Sequence, residues 1–204
     1  MSLAIADEHI EEARHRITVA EFIHMDDAGI FDPEARLELI DGVILEMSPT
    51  KPPHAYAVNT LTRQFSRLLG DRAYVNSQNP TECDEYSLPQ PDVTLAELPH
   101  ERYSVRHPTW EDTLLAVEVS DSTVREDRKV KVPLYARSEI PETWVVNIPQ
   151  RRVEVYMDPV DGQYRTVTLR FPGETVAPSA FSDVEIAVSD LLPLHEGDDV
   201  EAAE

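Results

Sequence analysis

Asp92 and Glu118 are acidic residues set in runs that otherwise read as buried strand. In residues 114–120, LLAVEVS, side chains alternate: Leu115, Val117 and Val119 face one way, and Leu114, Ala116, Glu118 and Ser120 the other. Glu118 thus follows two apolar positions on its own face, where an ionised carboxylate is costly unless paired, hydrogen-bonded or metal-bound. Asp92 poses the same problem in Pro91-Asp92-Val93-Thr94-Leu95, where Val93 and Leu95 take the opposite face. Two carboxylates from neighbouring strands are hard oxygen ligands suited to Mg²⁺ or Mn²⁺, with water or phosphate completing the shell. Such an ion polarises a phosphoryl oxygen and acidifies its bound water. From spacing alone two readings stay open, a salt-bridge partner or a metal ligand.

The elements that must position these groups are legible along the chain. Thr18-Val19-Ala20-Glu21 is a capping-box pattern and predicts a short helix ending near Gly29. Asp41-Gly42 separates two strand-like runs, 37–40 and 43–47, and predicts a two-residue hairpin whose turn needs positive φ at both central positions. Val58, Leu61, Phe65, Leu68 and Leu69 recur at helical spacing and predict a helix over 54–69, with Gly70 as its terminator. Strands are predicted at 73–77, 81–84, 91–95, 114–120, 143–147, 153–156, 164–169 (after the Asp161-Gly162 turn) and 184–186. A basic helix is expected over 128–137, where Pro133 limits how far upstream the regular helix can begin. Helices mixed with strands around one buried central strand make an α/β or α+β protein with a mixed sheet.

The composition narrows the partners. With 39 acidic residues against 18 Lys and Arg, the formal charge is −21, which speaks against a general nucleic-acid coat protein. The charge is uneven: Arg125, Arg128, Lys129, Lys131 and Arg137 cluster, while no Lys or Arg follows Arg170. A single cysteine, Cys83, excludes an internal disulfide and any multi-cysteine zinc site. No apolar run approaches a membrane span of about 20 residues, and the opening residues lack a secretory pattern, so a cytoplasmic location is expected. Residues 1–16 are expected to be a flexible N-terminal segment, 17–194 the folded domain, and 195–204 an acidic C-terminal tail.

Pro91-Asp92, then Glu118-Val119-Ser120, then Lys131 resembles the PD-(D/E)XK nuclease pattern in a migrated-lysine form. More closely, the chain resembles the Uma family of restriction-endonuclease-like proteins. The matching stretches are Glu38-Leu39-Ile40-Asp41-Gly42 with Glu46-Met47-Ser48-Pro49, His54 at a helix start, Pro91-Asp92, and Val117-Glu118-Val119-Ser120 followed by Ser122-Thr123. Asp127, Lys131, Tyr135, Pro141-Glu142, Trp144-Val145-Val146 and Val153-Glu154-Val155-Tyr156 continue the match, which runs from about Ile17 to Leu192.

The resemblance implies a restriction-endonuclease-like core, a mixed β-sheet flanked by helices, with Asp92 and Glu118 as metal ligands. Ser120 stands where the usual motif has lysine, and Lys131 on the next helix is the implied replacement, orienting the attacking water or stabilising charge on phosphate. Glu38 is either accessory to the metal or a cross-strand charge in the hairpin. His54 either contacts substrate or a metal-side water, or bonds local backbone. Gln78 either lines the same cleft or belongs to the loop, the loop being favoured; Tyr135 is expected to pack. Asp121 stands where the family often has proline, Pro133 is unusual in the lysine helix, and Asn147 replaces a frequent Asp. The implied activity is metal-dependent endonucleolytic hydrolysis of nucleic acid, DNA in the first place, by a protein that could act as a homodimer. The alternative is a catalytically silent binding or assembly module of the same fold.

Overall fold

The structure, a computed structural model, describes residues 14–194. The expected acidic tail and all but the last residues of the expected N-terminal segment lie outside the described residues. Helix α1, Val19–Asp27, begins at the capping box: Glu21 N–H donates to Thr18 Oγ1 at 3.2 Å, and Thr18 N–H donates to Glu21 Oε2 at 2.8 Å. Strands β1, Leu37–Ile40, and β2, Val43–Glu46, form the hairpin across Asp41-Gly42, with φ of 52° and 75° at the turn. This hairpin is a separate two-stranded sheet. Leu39 exchanges backbone hydrogen bonds with Leu88 and Gly42 N–H donates to Tyr86 O, so the residues after Glu85 hold it in place.

Helix α2, Pro52–Leu69, starts two residues before the predicted point, because prolines at its first two positions have no N–H that needs a partner there. It ends at Gly70 (φ 53°), as expected. A six-stranded sheet follows in the order β3 (Tyr74–Ser77), β4 (Val93–Ala96), β5 (Thr113–Ser120), β6 (Glu142–Asn147), β7 (Arg152–Val160), β8 (Gln163–Arg170). Only β5 and β6 run parallel; the other neighbours are antiparallel. A parallel pair needs a long crossover, and residues 121–141 supply it: α3 (Val124–Glu126), a π-helical stretch (Asp127–Lys131) and α4 (Val132–Arg137).

Residues 81–84 do not form a strand of the sheet. Their backbone bonds go to loops instead, Thr81 N–H to Pro89 O, Glu82 N–H to Pro108 O and Cys83 N–H to Ser87 O, leaving only isolated bridges. The predicted last strand shifts to β10, Ile186–Ala187, paired with β9, Thr175–Val176, ahead of the short helix α5, Val188–Leu191.

The central strand β5 divides the protein into two faces. Leu115, Val117 and Val119 join Val58, Leu61 and Phe65 of α2, together with Trp144, Val146, Ile186 and Leu191, in the larger core. Ala116 belongs to a second cluster with Ile40, Cys83, Leu134, Tyr135 and Ile140 on the other face. The register between β4 and β5 slips so that Leu95 pairs with Leu115 but Ala96 with Thr113. Leu114 therefore bulges out and packs on the α2 side, not with Ala116 and Glu118 as strict alternation predicts.

Two glycines in like turns report on this architecture. Gly42 and Gly162 have φ of 75° and 74°, but a Cβ on Gly42 would lie 2.6 Å from Arg16 Cβ and 2.8 Å from its Cα, against 3.4 Å from Arg137 Cβ at Gly162. Gly162→Ala is expected to cost only the left-handed backbone penalty of about 1–2 kcal/mol. Gly42→Ala is expected to cost about 1–3 kcal/mol more through overlap. Urea denaturation of both variants measures the difference; equal losses would mean that the residue 16 backbone does not press on the turn.

Candidate active site

Asp92 lies immediately before β4, not within it, and reaches across to β5: Val119 N–H donates to its Oδ2 at 2.8 Å. His54, in the first turn of α2, sets Nε2 3.1 Å from both carboxylate oxygens. Glu118 projects from β5 on the face away from α2, and each of its oxygens has a partner. Tyr135 Oη donates to Oε1 at 2.5 Å, and Lys131 Nζ to Oε2 at 3.3 Å. The same ammonium lies 3.1 Å from Glu38 Oε2, which also accepts Gln90 N–H at 3.2 Å. Asp127 stands close by, with Ser120 Oγ and Thr123 Oγ1 donating to its Oδ2 at 2.6 and 2.7 Å.

The lysine reaches this place through the π-helical stretch. Pro133 lacks the N–H that would close an α-turn on Lys129 and would crowd that carbonyl. Instead Val132 N–H donates to Asp127 O, five residues back, and the regular helix resumes at Val132. Pro133 thus does not carry Lys131 away from Glu118; the wider turn accommodates it. Such local π turns recur at functional sites.

Asp92, Glu118, Lys131, Glu38 and His54 all line one cavity of about 710 Å³. Ser120 is fully buried behind it and serves Asp127, whereas Gln78 does not line it. Gln78 takes φ of 51° in the turn after β3, donates its N–H to Asp92 O at 3.0 Å and accepts Gln90 Nε2–H on its carbonyl at 2.7 Å. The loop reading of Gln78 is the one its geometry supports. Tyr135 packs, as expected, but it also bonds Glu118. The sequence reading assigned no part to Asp127, although Asp127, Lys131 and Tyr135 stand four residues apart and share a helix face, a signal that spacing alone could have supplied.

Four carboxylates, Glu38, Asp92, Glu118 and Asp127, face one buried ammonium. Burial pushes the Glu118 carboxyl well above the usual carboxylate range; Lys131 opposes this, and Asp127 and Asp92 add to it. Burial likewise raises Asp127, with Ser120, Lys131 and Thr123 opposing and Asp92 adding. Burial draws the Lys131 ammonium down, but Glu118, Glu38, Asp127 and Asp92 more than reverse it and hold the proton. Both ends of the Lys131–Glu118 pair therefore keep protons more tightly than in water, Glu118 chiefly because it is buried and Lys131 because four carboxylates surround it. Among the described residues no group of three or more His, Cys, Asp or Glu has metal-holding geometry. The carboxylate pair Asp92 and Glu118 still offers hard oxygen donors in an electron-rich pocket, and the charge surplus suits a divalent cation.

The profile of the Uma2 family, described as "putative restriction endonuclease", matches residues 19–189. Among solved structures, the chain is similar to a protein from Anabaena variabilis, described as a putative nuclease belonging to DUF820. The two share 14% identity with a TM-score of 0.65, over 86% of this chain and 97% of that one. This likeness shows the fold, a mixed central sheet flanked by helices. No curated protein matches the sequence.

A carboxyl whose folded-state pKa lies above its unfolded value binds its proton more tightly in the fold. Its favourable contribution is complete below the ordinary value of 4.5 and is lost as pH rises through the folded value. Glu118→Gln, measured in EDTA, is thus expected to gain stability over the parent as pH rises above 4.5, by at most about 1.4 kcal/mol per unit. Urea denaturation across that range is the measurement; a gap that stays flat or closes with rising pH would contradict the assignment.

Proposed function

The chain belongs to the Uma2 family, whose description is that of a restriction endonuclease, and on that premise we propose that it is a metal-dependent nuclease hydrolysing phosphodiester bonds of nucleic acid. The observation that carries the reading is the convergence of Asp92, Glu118 and Lys131, from three separate segments, on one cavity. Asp92 and Glu118 would hold Mg²⁺ or Mn²⁺, which when bound supplies positive charge against phosphate and a more acidic water. His54 and Val119 N–H hold Asp92 in place, the supporting contacts that orient ligand carboxylates. Tyr135 fixes the Glu118 carboxylate from below. The Lys131 ammonium then orients the attacking water or meets the charge that grows on the phosphoryl oxygens. Arg36 and Lys51 line the same cavity and supply the phosphate with its remaining cations.

Cleavage assays with Mg²⁺ or Mn²⁺ on DNA and RNA test the proposal. Asp92→Asn, which keeps an acceptor for Val119 N–H, is expected to lose at least about 10²-fold in rate. His54→Ala is expected to lose about 10–100-fold, as the loss of a supporting contact does. No cleavage by the parent protein, or equal cleavage by Asp92→Asn, would remove the enzyme reading.

A second reading is favoured by the clasp of Lys131 between two carboxylates and by the −21 charge: a catalytically silent module of the same fold that binds metal without cutting. Ligand binding to the native state raises its melting temperature. On either reading Mn²⁺ is expected to raise the melting temperature of the parent protein but not of Glu118→Ala. Cleavage then separates the two readings, and a shift that survives in Glu118→Ala would place the metal elsewhere.

A further inference from the structure

Resting on the nuclease reading, we propose that the polynucleotide acted on here is single-stranded, one unpaired nucleotide entering the cavity while intact duplex is excluded. The first reason is depth. Asp92, Glu118 and Lys131 are only 6%, 2% and 8% exposed, at the base of a cavity of about 710 Å³. That volume lies within the roughly 300–1,000 Å³ of pockets that enclose a small ligand. A nucleotide in a duplex is stacked and paired, and drawing it out costs a few kcal/mol, least where it is already unpaired.

The second reason is the character of the walls. Leu45 and Met47, from the hairpin strand β2 and the residue after it, line the cavity with Val130 from the π-helical stretch. Leu45 and Val130 remain 38% and 37% exposed. These aliphatic surfaces suit the face of a base and read no hydrogen-bonding edge, so the preference concerns strandedness and not sequence.

Charge is the third. Glu46, Asp121 and Glu126 line the same cavity in a chain of net charge −21. A duplex presents one negative charge per about 1.7 Å of axis, a single strand one per about 3.4 Å. The acidic lining therefore repels a duplex more strongly than a single strand, while Arg36 and Lys51 can meet one phosphate at the cavity.

Fluorescence anisotropy in EDTA tests this, using labelled single-stranded DNA, single-stranded RNA and a DNA duplex of the same sequence. The single strands are expected to bind at least about tenfold tighter than the duplex, a difference of about 1.4 kcal/mol. The DNA and RNA arms identify which sugar is preferred, and a preference for either single strand supports the inference. The double variant Leu45→Ser, Val130→Ser, which removes the aliphatic surface without adding charge, is expected to lose that preference with its melting temperature retained. In Mn²⁺ the parent protein is expected to cut single strands and unpaired flaps faster than duplex. Duplex bound as tightly, or cut as fast, overturns the inference and leaves the nuclease reading intact. A preference for single strands with no cleavage of any substrate sustains the inference and removes the nuclease reading alone.

Discussion

The Lys131 ammonium, 3.1 Å from Glu38 and 3.3 Å from Glu118, is the interaction on which the centre depends. Removing one partner from a buried ion pair leaves an uncompensated charge, a loss of about 3–5 kcal/mol. The surrounding structure can be understood as the means of bringing this one cation to that spot. The β1–β2 hairpin delivers Glu38, β5 delivers Glu118, and the π-helical stretch turns Lys131 inward past Pro133. Asp127 ties that stretch to β5 through Ser120. Ser120, at the end of β5, thus anchors the stretch that carries Lys131.

Other buried acids in the protein show what complete neutralisation looks like. Asp112 is held by Arg102 and Arg106 with the Thr109 cap, and hydrogen bonding, from Arg106 above all, depresses its carboxyl despite burial. Glu154 sits among Arg128, Arg152, Asn147 and Tyr156; burial would raise it, but these donors hold it down at about 2. Asn147 belongs to that network as an amide donor, and an aspartate there would instead set a second carboxylate beside Glu154. Glu118 and Asp127 shift the opposite way because burial outweighs the hydroxyl donors and the single ammonium beside them. Perturbed carboxyls lining a cavity point to function, whereas a matched set of arginines points to structure.

Local patterns predicted much of the scaffold well. The capping box at Thr18, the Asp41-Gly42 turn and the apolar stripe of α2 each depend on contacts within a few residues, so they are legible in a window of that length. Alternation in β5 correctly separated Val117 and Val119 from Glu118 and failed only at Leu114, where a bulge set by the β4 pairing interrupts it. Residues 81–84 have strand-like composition, yet their partners are loop carbonyls as far away as Pro108, and no local signal states that.

The amino-acid sequence by itself determined which residues were unusual: an acid within an apolar strand, another at the edge of a second apolar run, and a lysine one helix after the first. Alternation along a strand and periodicity along a helix are properties of the backbone, so the faces of those residues followed from order alone. Whether the acids and the lysine meet was decided only by tertiary structure. That outcome required a parallel crossover from β5 to β6, a widened helical turn before Pro133 and a hairpin held against residues 86–88. These are long-range pairings whose energy comes from burial and hydrogen bonds between segments, and no short stretch of sequence contains both partners.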